Sequence, residues 1–431
     1  LHAFRESDGQ ELWAFIPPDL LDDLKDLTIR AGAHGFYVDS SPIAADVKIG
    51  GAWRTIVVFG ERRGGNTYHA LDITDTMNSI YLWSFTDAKI KETWSEPAIG
   101  KVKMDDGTEK FVAFFGGGYD TAENNSAGKA FFVLDLATGQ KLWEYYNDGS
   151  LDDRKYMNFS LAANPTVVDM NLDGYIDRVY IGDVGGQLWK FDVSAPATLS
   201  GGLATNWTGK RLFVADPLQA NPPAVGEYYP AQAIYAPPTP AFDDYGTLWV
   251  YFGTGDRNHP NNAGKNRFYG IKDNTTMAND TPLTEASLVD VSSADASAVQ
   301  GWFFRLADDE KVLSAADVFN KIAFFSAFTP TNVVQCGSGG GKAKLYAVQA
   351  LTGYAAIDWN TGTALASSDS KKERATVIGS GIASKPIVVI NYTGSKVTAS
   401  VVTATTNEQL ASNPAPPPSS LKRLIYWREV F

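Results

Sequence analysis

Three observations in the sequence predict an all-β fold, a modified β-propeller of roughly seven blades. A strand-turn-strand unit recurs along the 431 residues, further strand-like runs fill the intervals between its copies, and one segment alone carries helical spacing. The unit is an apolar run ending in Asp or another polar residue, then a tight turn, then a strand bearing tryptophan. Leu1-His2-Ala3-Phe4 is followed by Asp8-Gly9 and Leu12-Trp13, and Tyr68-His69-Ala70-Leu71-Asp72 by Leu82-Trp83. The clearest copy is Phe131-Phe132-Val133-Leu134-Asp135, then Thr138-Gly139, then Leu142-Trp143. Weaker copies start at Gln187, Arg267 and Leu345, the last with Thr352-Gly353. Apolar alternation makes each arm a half-buried strand, and the Thr-Gly or Asp-Gly pair supplies the hairpin turn.

Between copies, Thr55 to Gly60, Phe111 to Gly116 and Leu248 to Gly253 read as further strands, so each repeat holds about four, the content of one blade. The copies are separated by roughly 57 to 81 residues, a spread that implies loop insertions. The terminal run from Leu421 to Phe431 is expected to pair with the N-terminal strands and close the ring, giving one domain over 1–431. Helix is expected only over 18–27, where Pro18 suits a first turn and the leucines share a face. The stretch 411–420, with four prolines, reads as an extended connector, and 219–240 as a crossing between blades.

Charge narrows the partners. With 37 basic against 49 acidic residues the net charge is −12, which leaves no electrostatic footprint for nucleic acid or anionic lipid. No apolar run is long enough to span a bilayer, and a start at Leu1 is expected of a piece of a longer protein. Cys336 stands alone, so no internal disulfide or cysteine-based zinc cluster can form; it is a free thiol or a bridge to a segment outside this chain.

Chemistry concentrates in the run 169–177, Asp-Met-Asn-Leu-Asp-Gly-Tyr-Ile-Asp. Asp169, Asn171, Asp173 and Asp177 place oxygen ligands at alternate positions, and the Tyr175 carbonyl adds a backbone oxygen, the donor set of a hard cation. Gly174 permits the sharp turn at the sixth position. This is a calcium loop whose first half resembles an EF-hand, yet the twelfth position is Tyr180 where an EF-hand has its bidentate glutamate, so Asp177 must close the shell. Its flanks, Pro165 to Val168 and Arg178 to Gly182, are strand-like, which places the loop in a hairpin. An acidic turn formed for conformational reasons alone is the plainer alternative.

Taken together, these runs resemble the C-terminal propeller of the PilC/PilY family of type IV pilus biogenesis and tip adhesin proteins. The likeness is carried by Leu12-Trp13-Ala14-Phe15-Ile16-Pro17, Tyr68 to Thr74, Gly116-Gly117-Gly118-Tyr119-Asp120, the calcium loop, Val250 to Gly255, Gly301-Trp302-Phe303 and Tyr426-Trp427-Arg428-Glu429. It implies a secreted, pilus-associated, cell-surface protein that promotes pilus assembly, opposes retraction and serves twitching motility and adhesion, under calcium control. It also implies pilus components such as minor pilins as partners, with host or surface receptors as further candidates. No Arg-Gly-Asp tripeptide occurs, so an integrin-type role does not carry over.

The repeats also resemble quinoprotein dehydrogenases, which makes a PQQ-dependent enzyme the rival expectation. Such enzymes set the quinone over calcium, commonly beside paired cysteines, and a lone Cys336 cannot supply the pair. His2, His34, His69 and His259 fall in no metal-ligand spacing, and His2 and His69 occupy equivalent repeat positions, which predicts a structural role. Asp105-Asp106-Gly107 and Asp243-Asp244 before Gly246 read as hairpin turns, and Asp120 with Asn124 and Asn125 as a surface loop. Gly337 to Lys342 lacks the helix a phosphate loop requires. Trp13, Trp83, Trp143 and Trp359 are expected to pack between blades, with a carbohydrate-binding adhesin as the alternative reading of those rings.

Overall fold

A computed structural model describes residues 1–28, 35–120, 127–215, 232–274, 281–292, 299–331, 340–365, 373–393, 396–407 and 410–418. Cys336, His34, Asn124, Asn125 and the closing run 421–431 lie outside the described residues. The fold is all-β, as the alternation requires. Among the described residues five sheets have four or five strands and one has three. No helix there is long and apolar enough to cross a membrane.

The chain separates into two compact units, Leu1–Val179 with Phe191–Gly209, and Tyr180–Lys190, Lys210–Pro222 and Tyr229–Phe431, each taken over its described residues. In the first unit, Ile43–Ile49, Ala52–Gly60, Tyr68–Asp72 and Ile80–Phe85 form an antiparallel meander. Ala98–Lys103, Glu109–Gly116, Ala130–Asp135 and Lys141–Tyr146 form a second in the same way. Tyr68–Asp72 and Ala130–Asp135 are buried along their whole length, Phe131, Phe132, Val133 and Leu134 among them. A further sheet runs in the order Thr166–Val168, Arg178–Gly182, Gln187–Asp192, Thr208–Val214 and Leu283–Thr284.

In the second unit, Thr239–Phe242, Leu248–Gly253, Arg267–Lys272 and Gly301–Arg305 are antiparallel, and Val289–Asp290 adds a parallel edge. Asp317–Phe319, Ile322–Pro330, Gly341–Gln349 and Ala375–Ser380 make the next sheet.

The Thr-Gly turn and the tryptophan act together. Gly139 accepts a φ of +71°, and its N–H donates to the Asp135 carbonyl at 2.8 Å. Trp83 of the preceding sheet lies on that glycine, where a Cβ would fall 2.7 Å from the indole, and its Nε1 donates to the Leu136 carbonyl at 2.8 Å. The second unit repeats the joint: Gly353 has φ +71°, its N–H reaches the Gln349 carbonyl at 2.8 Å, and Trp302 covers it while donating to the Ala350 carbonyl at 2.9 Å. Trp302 thus takes the role that the sequence reading gave to other tryptophans. Rings fill the same inter-sheet spaces, Tyr68 tilted against Phe115 with centres 4.2 Å apart and Phe268 stacked on Phe325 at 3.7 Å.

Two local expectations change. The helical segment is a 3-10 stretch, Pro18–Thr28, in which Leu20 is buried while Leu21 and Leu27 stay exposed, so the leucines do not share a buried face. The proline-rich connector begins as a strand, Leu410–Ala415, paired with Lys396–Ala404. Pro414 is tolerated because that strand is a sheet edge.

Candidate metal centre

The 169–177 loop joins Thr166–Val168 to Arg178–Gly182, the strand context its flanks predict. Its own amides shape it. Asp169 Oδ1 accepts from the N–H of Asn171 at 3.3 Å and of Asp173 at 3.2 Å, and its Oδ2 from Gly174 at 2.7 Å. The Asn171 side-chain oxygen accepts from Asp173 N–H at 3.0 Å, and Asp173 Oδ1 from Tyr175 N–H at 3.0 Å. Leu172 at φ +61° and Gly174 at φ +85° turn the chain so that these donors point inward.

Asp177 seals the base. Its Oδ2 accepts from Met170 N–H at 2.6 Å, its own N–H donates to the Val168 carbonyl at 2.9 Å, and its carbonyl accepts from Val193 N–H at 2.9 Å. Asp177 is buried, whereas Asn171 and Asp173 are exposed. Burial pushes the Asp177 carboxyl up, and the charges of Asp169, Asp173 and Asp192 push the same way against the Met170 hydrogen bond. Asp173 is held low instead, chiefly because Lys103 Nζ donates to its Oδ2 at 2.6 Å. The Lys101 and Lys103 ammonium groups each lie 4.4 Å from the centre of the Tyr175 ring, whose hydroxyl donates to Glu109 at 2.9 Å.

The five predicted ligands therefore share one loop, and every donor is an oxygen, which fits a hard divalent cation. The fit is one of chemistry more than closure. The Asp169, Asp173 and Asp177 carboxylates do not converge within 4.8 Å, a spacing reached among the described residues by a different trio, Asp19, Glu61 and His69. Sequence spacing could not reveal that trio, since its members come from three separate segments. His2 and His69 also differ in setting: His2 is exposed beside Glu11, while His69 is wholly buried. The turns expected at Asp106-Gly107 and at Asp243 to Gly246 do link paired strands.

Comparison with known proteins places this architecture. Residues 1–290 match the family model described as the PilY1 beta-propeller domain. The type IV pilus biogenesis factor PilY1 of Pseudomonas aeruginosa is 34% identical over 313 residues, 67% of this chain and 26% of that protein. A PilY1 homolog of Xylella fastidiosa is 29% identical over 393 residues, 83% of this chain and 26% of that protein. The chain thus spans about a quarter of the length of these curated relatives. The crystal structure of the P. aeruginosa PilY1 C-terminal domain superposes with a TM-score of 0.66 at 22% identity, covering 96% of this chain and 90% of that one, a likeness of fold. With its hairpin repeats, its sheets and two thirds of its length in agreement, the chain belongs to the PilY1 β-propeller domain family.

Proposed function

We propose that this chain is a calcium-binding, non-enzymatic propeller of a type IV pilus biogenesis factor, located at the pilus and the cell surface. In that reading it biases pilus extension against retraction and so serves twitching motility and adhesion, with minor pilins and surface receptors as partners. Residues 1–431 are, in that reading, one propeller domain of roughly seven blades. That the relatives are type IV pilus biogenesis factors supports the pilus assignment. The observation that carries the calcium assignment is the oxygen ladder at Asp169, Asn171, Asp173, the Tyr175 carbonyl and Asp177 on a loop preshaped by its own amides.

Bound calcium would supply positive charge to carboxylates that otherwise repel. Asp169 organises the turn through three amides, and Asp177 fastens its two ends. Lys103 offsets charge on the Asp173 side, whereas Asp177 faces acidic neighbours. A regulatory output follows only where a partner surface responds to loop order, since an ion biases only states that it binds unequally.

Calorimetry on the chain should give one calcium site with affinity of order 10⁻⁷ to 10⁻⁵ M, the range of sensor loops. Asp177→Ala should abolish the heat of binding while circular dichroism stays β-rich, and a wild-type titration curve from that variant would reject the ligand set. Turnover of simple alcohols with added PQQ and an artificial electron acceptor would overturn the non-enzymatic reading.

A further inference from the structure

Asp19, Glu61 and His69 come from separate segments of the first unit. Asp19 is the second residue of the 3-10 stretch Pro18–Thr28, Glu61 follows the strand Ala52–Gly60, and His69 lies within Tyr68–Asp72. His69 Nε2 stands 3.1 Å from Glu61 Oε1 and 3.6 Å from Asp19 Oδ1. The His69 and Glu61 side chains are 0% and 2% exposed, and Asp19 is 42% exposed. We propose that His69 Nε2, Glu61 Oε1 and Asp19 Oδ1 form a second metal site, distinct from the 169–177 loop, that takes a zinc-class divalent ion and opens to solvent beside Asp19.

Geometry, charge and ligand type point the same way. A tetrahedral ion bound at about 2.0–2.1 Å holds its ligands about 3.3 Å apart. The two nitrogen–oxygen distances bracket that edge, and all three donor atoms lie within 4.8 Å of one another. Among the described residues neither carboxylate has a lysine or arginine partner, and His69 is the only ion-pair partner of both. Two acids therefore converge on one imidazole. One nitrogen with two carboxylates suits zinc and its neighbours, whereas the all-oxygen loop suits calcium.

The surroundings orient the ligands as an outer shell does. His69 Nδ1 lies 3.4 Å from the Tyr81 hydroxyl, and the imidazole packs on Phe59 with ring centres 5.4 Å apart. Glu61 Oε2 accepts from Thr67 N–H at 3.3 Å and rests on Gly65, where a Cβ would fall 1.9 Å away, so Oε1 is left facing His69. An ion here would stitch the 3-10 stretch, which buries only Leu20, to the first sheet.

The test uses the tag-free chain, stripped of metal and held in saturating calcium so that the 169–177 loop is silent. Zinc titration by calorimetry should give one site per chain, and cobalt(II) in place of zinc should give the visible absorption of tetrahedral coordination. Asp19→Asn removes one ligand charge at a partly exposed position and should weaken zinc binding tenfold or more. Zinc should also protect 18–28 from limited proteolysis in the wild-type chain and not in Asp19→Asn. A wild-type chain that takes up no zinc overturns the site, and so does an Asp19→Asn chain that binds zinc as tightly as wild type.

Discussion

Gly139 shows what a single residue contributes to this fold. Its φ of +71° strains any side chain, and a Cβ would press on Trp83 at 2.7 Å. Gly139→Ala should therefore cost about 2 kcal/mol or more, since a left-handed backbone and a steric overlap add. Trp83→Ala removes the opposite half of the contact and should cost about 3–5 kcal/mol, as truncation of large buried rings does. Denaturant unfolding checks both, and a midpoint unchanged in either variant contradicts the role given to this joint. The Thr-Gly-Trp pattern around Gly139 was legible because turn and strand are neighbours in sequence. Trp302 was not legible as its counterpart, because the chain between Asp273 and Gly301 separates it from the hairpin it belongs to. His69 was legible only as a repeat position; its approach to Glu61 and Asp19 is a product of tertiary folding.

At the scale of the element, two turns share one design, an Asp that gathers the amides of its own turn and a tryptophan N–H beyond it. Asp183 accepts from the N–H groups of Gly185 and Gln187 at 2.9 Å each, from Gln187 Nε2 at 2.8 Å and from Trp189 Nε1 at 2.9 Å. Asp243 accepts likewise from Tyr245 and Thr247 N–H at 2.9 Å each and from Trp249 Nε1 at 3.1 Å. Burial sets them apart. It pushes wholly buried Asp183 up to about 6, beyond what its hydrogen bonds recover, whereas at Asp243 the bonds to Thr247, Trp249 and Tyr245 outweigh a smaller burial effect and hold the carboxyl low. A raised carboxyl gives stability that is full below the ordinary carboxylate range and lost as pH rises through about 6. A lowered one gives stability that is present above that range and lost as pH falls. Thermal melts should then show Asp183→Asn gaining on wild type as pH rises from about 4 to 7, while Asp243→Asn runs level with wild type over that interval and gains on it only as pH falls below about 4; parallel profiles would contradict this assignment. Antiparallel hairpins were readable from alternation, but the parallel edges Leu283–Thr284 and Val289–Asp290 were not, being two residues long and determined by the strands beside them.

For the whole molecule, an ion that binds only the folded chain stabilises it by mass action, about 2.7 kcal/mol at a hundredfold excess over its dissociation constant. Calorimetric melts should rise by several degrees with calcium and fall back with chelator, and Asp177→Ala should show neither change. An identical melt with and without calcium would count against the loop as a calcium site. The fold class was legible at this scale because a repeat announces itself many times over. The oxygen ladder was legible because all five ligands lie within nine residues of chain, while the spread of the repeats hid where each sheet begins and ends.

The tryptophan-on-glycine joint appears in both units with the same turn angle and the same pair of hydrogen-bonded carbonyls. At each of these two joints one hairpin supplies the plug and its neighbour the socket, so a segment copied as a pair keeps its fitting. Tandem copying of coding sequence could lengthen or shorten such an array without inventing a new boundary, and the insertions between copies are then free to diverge.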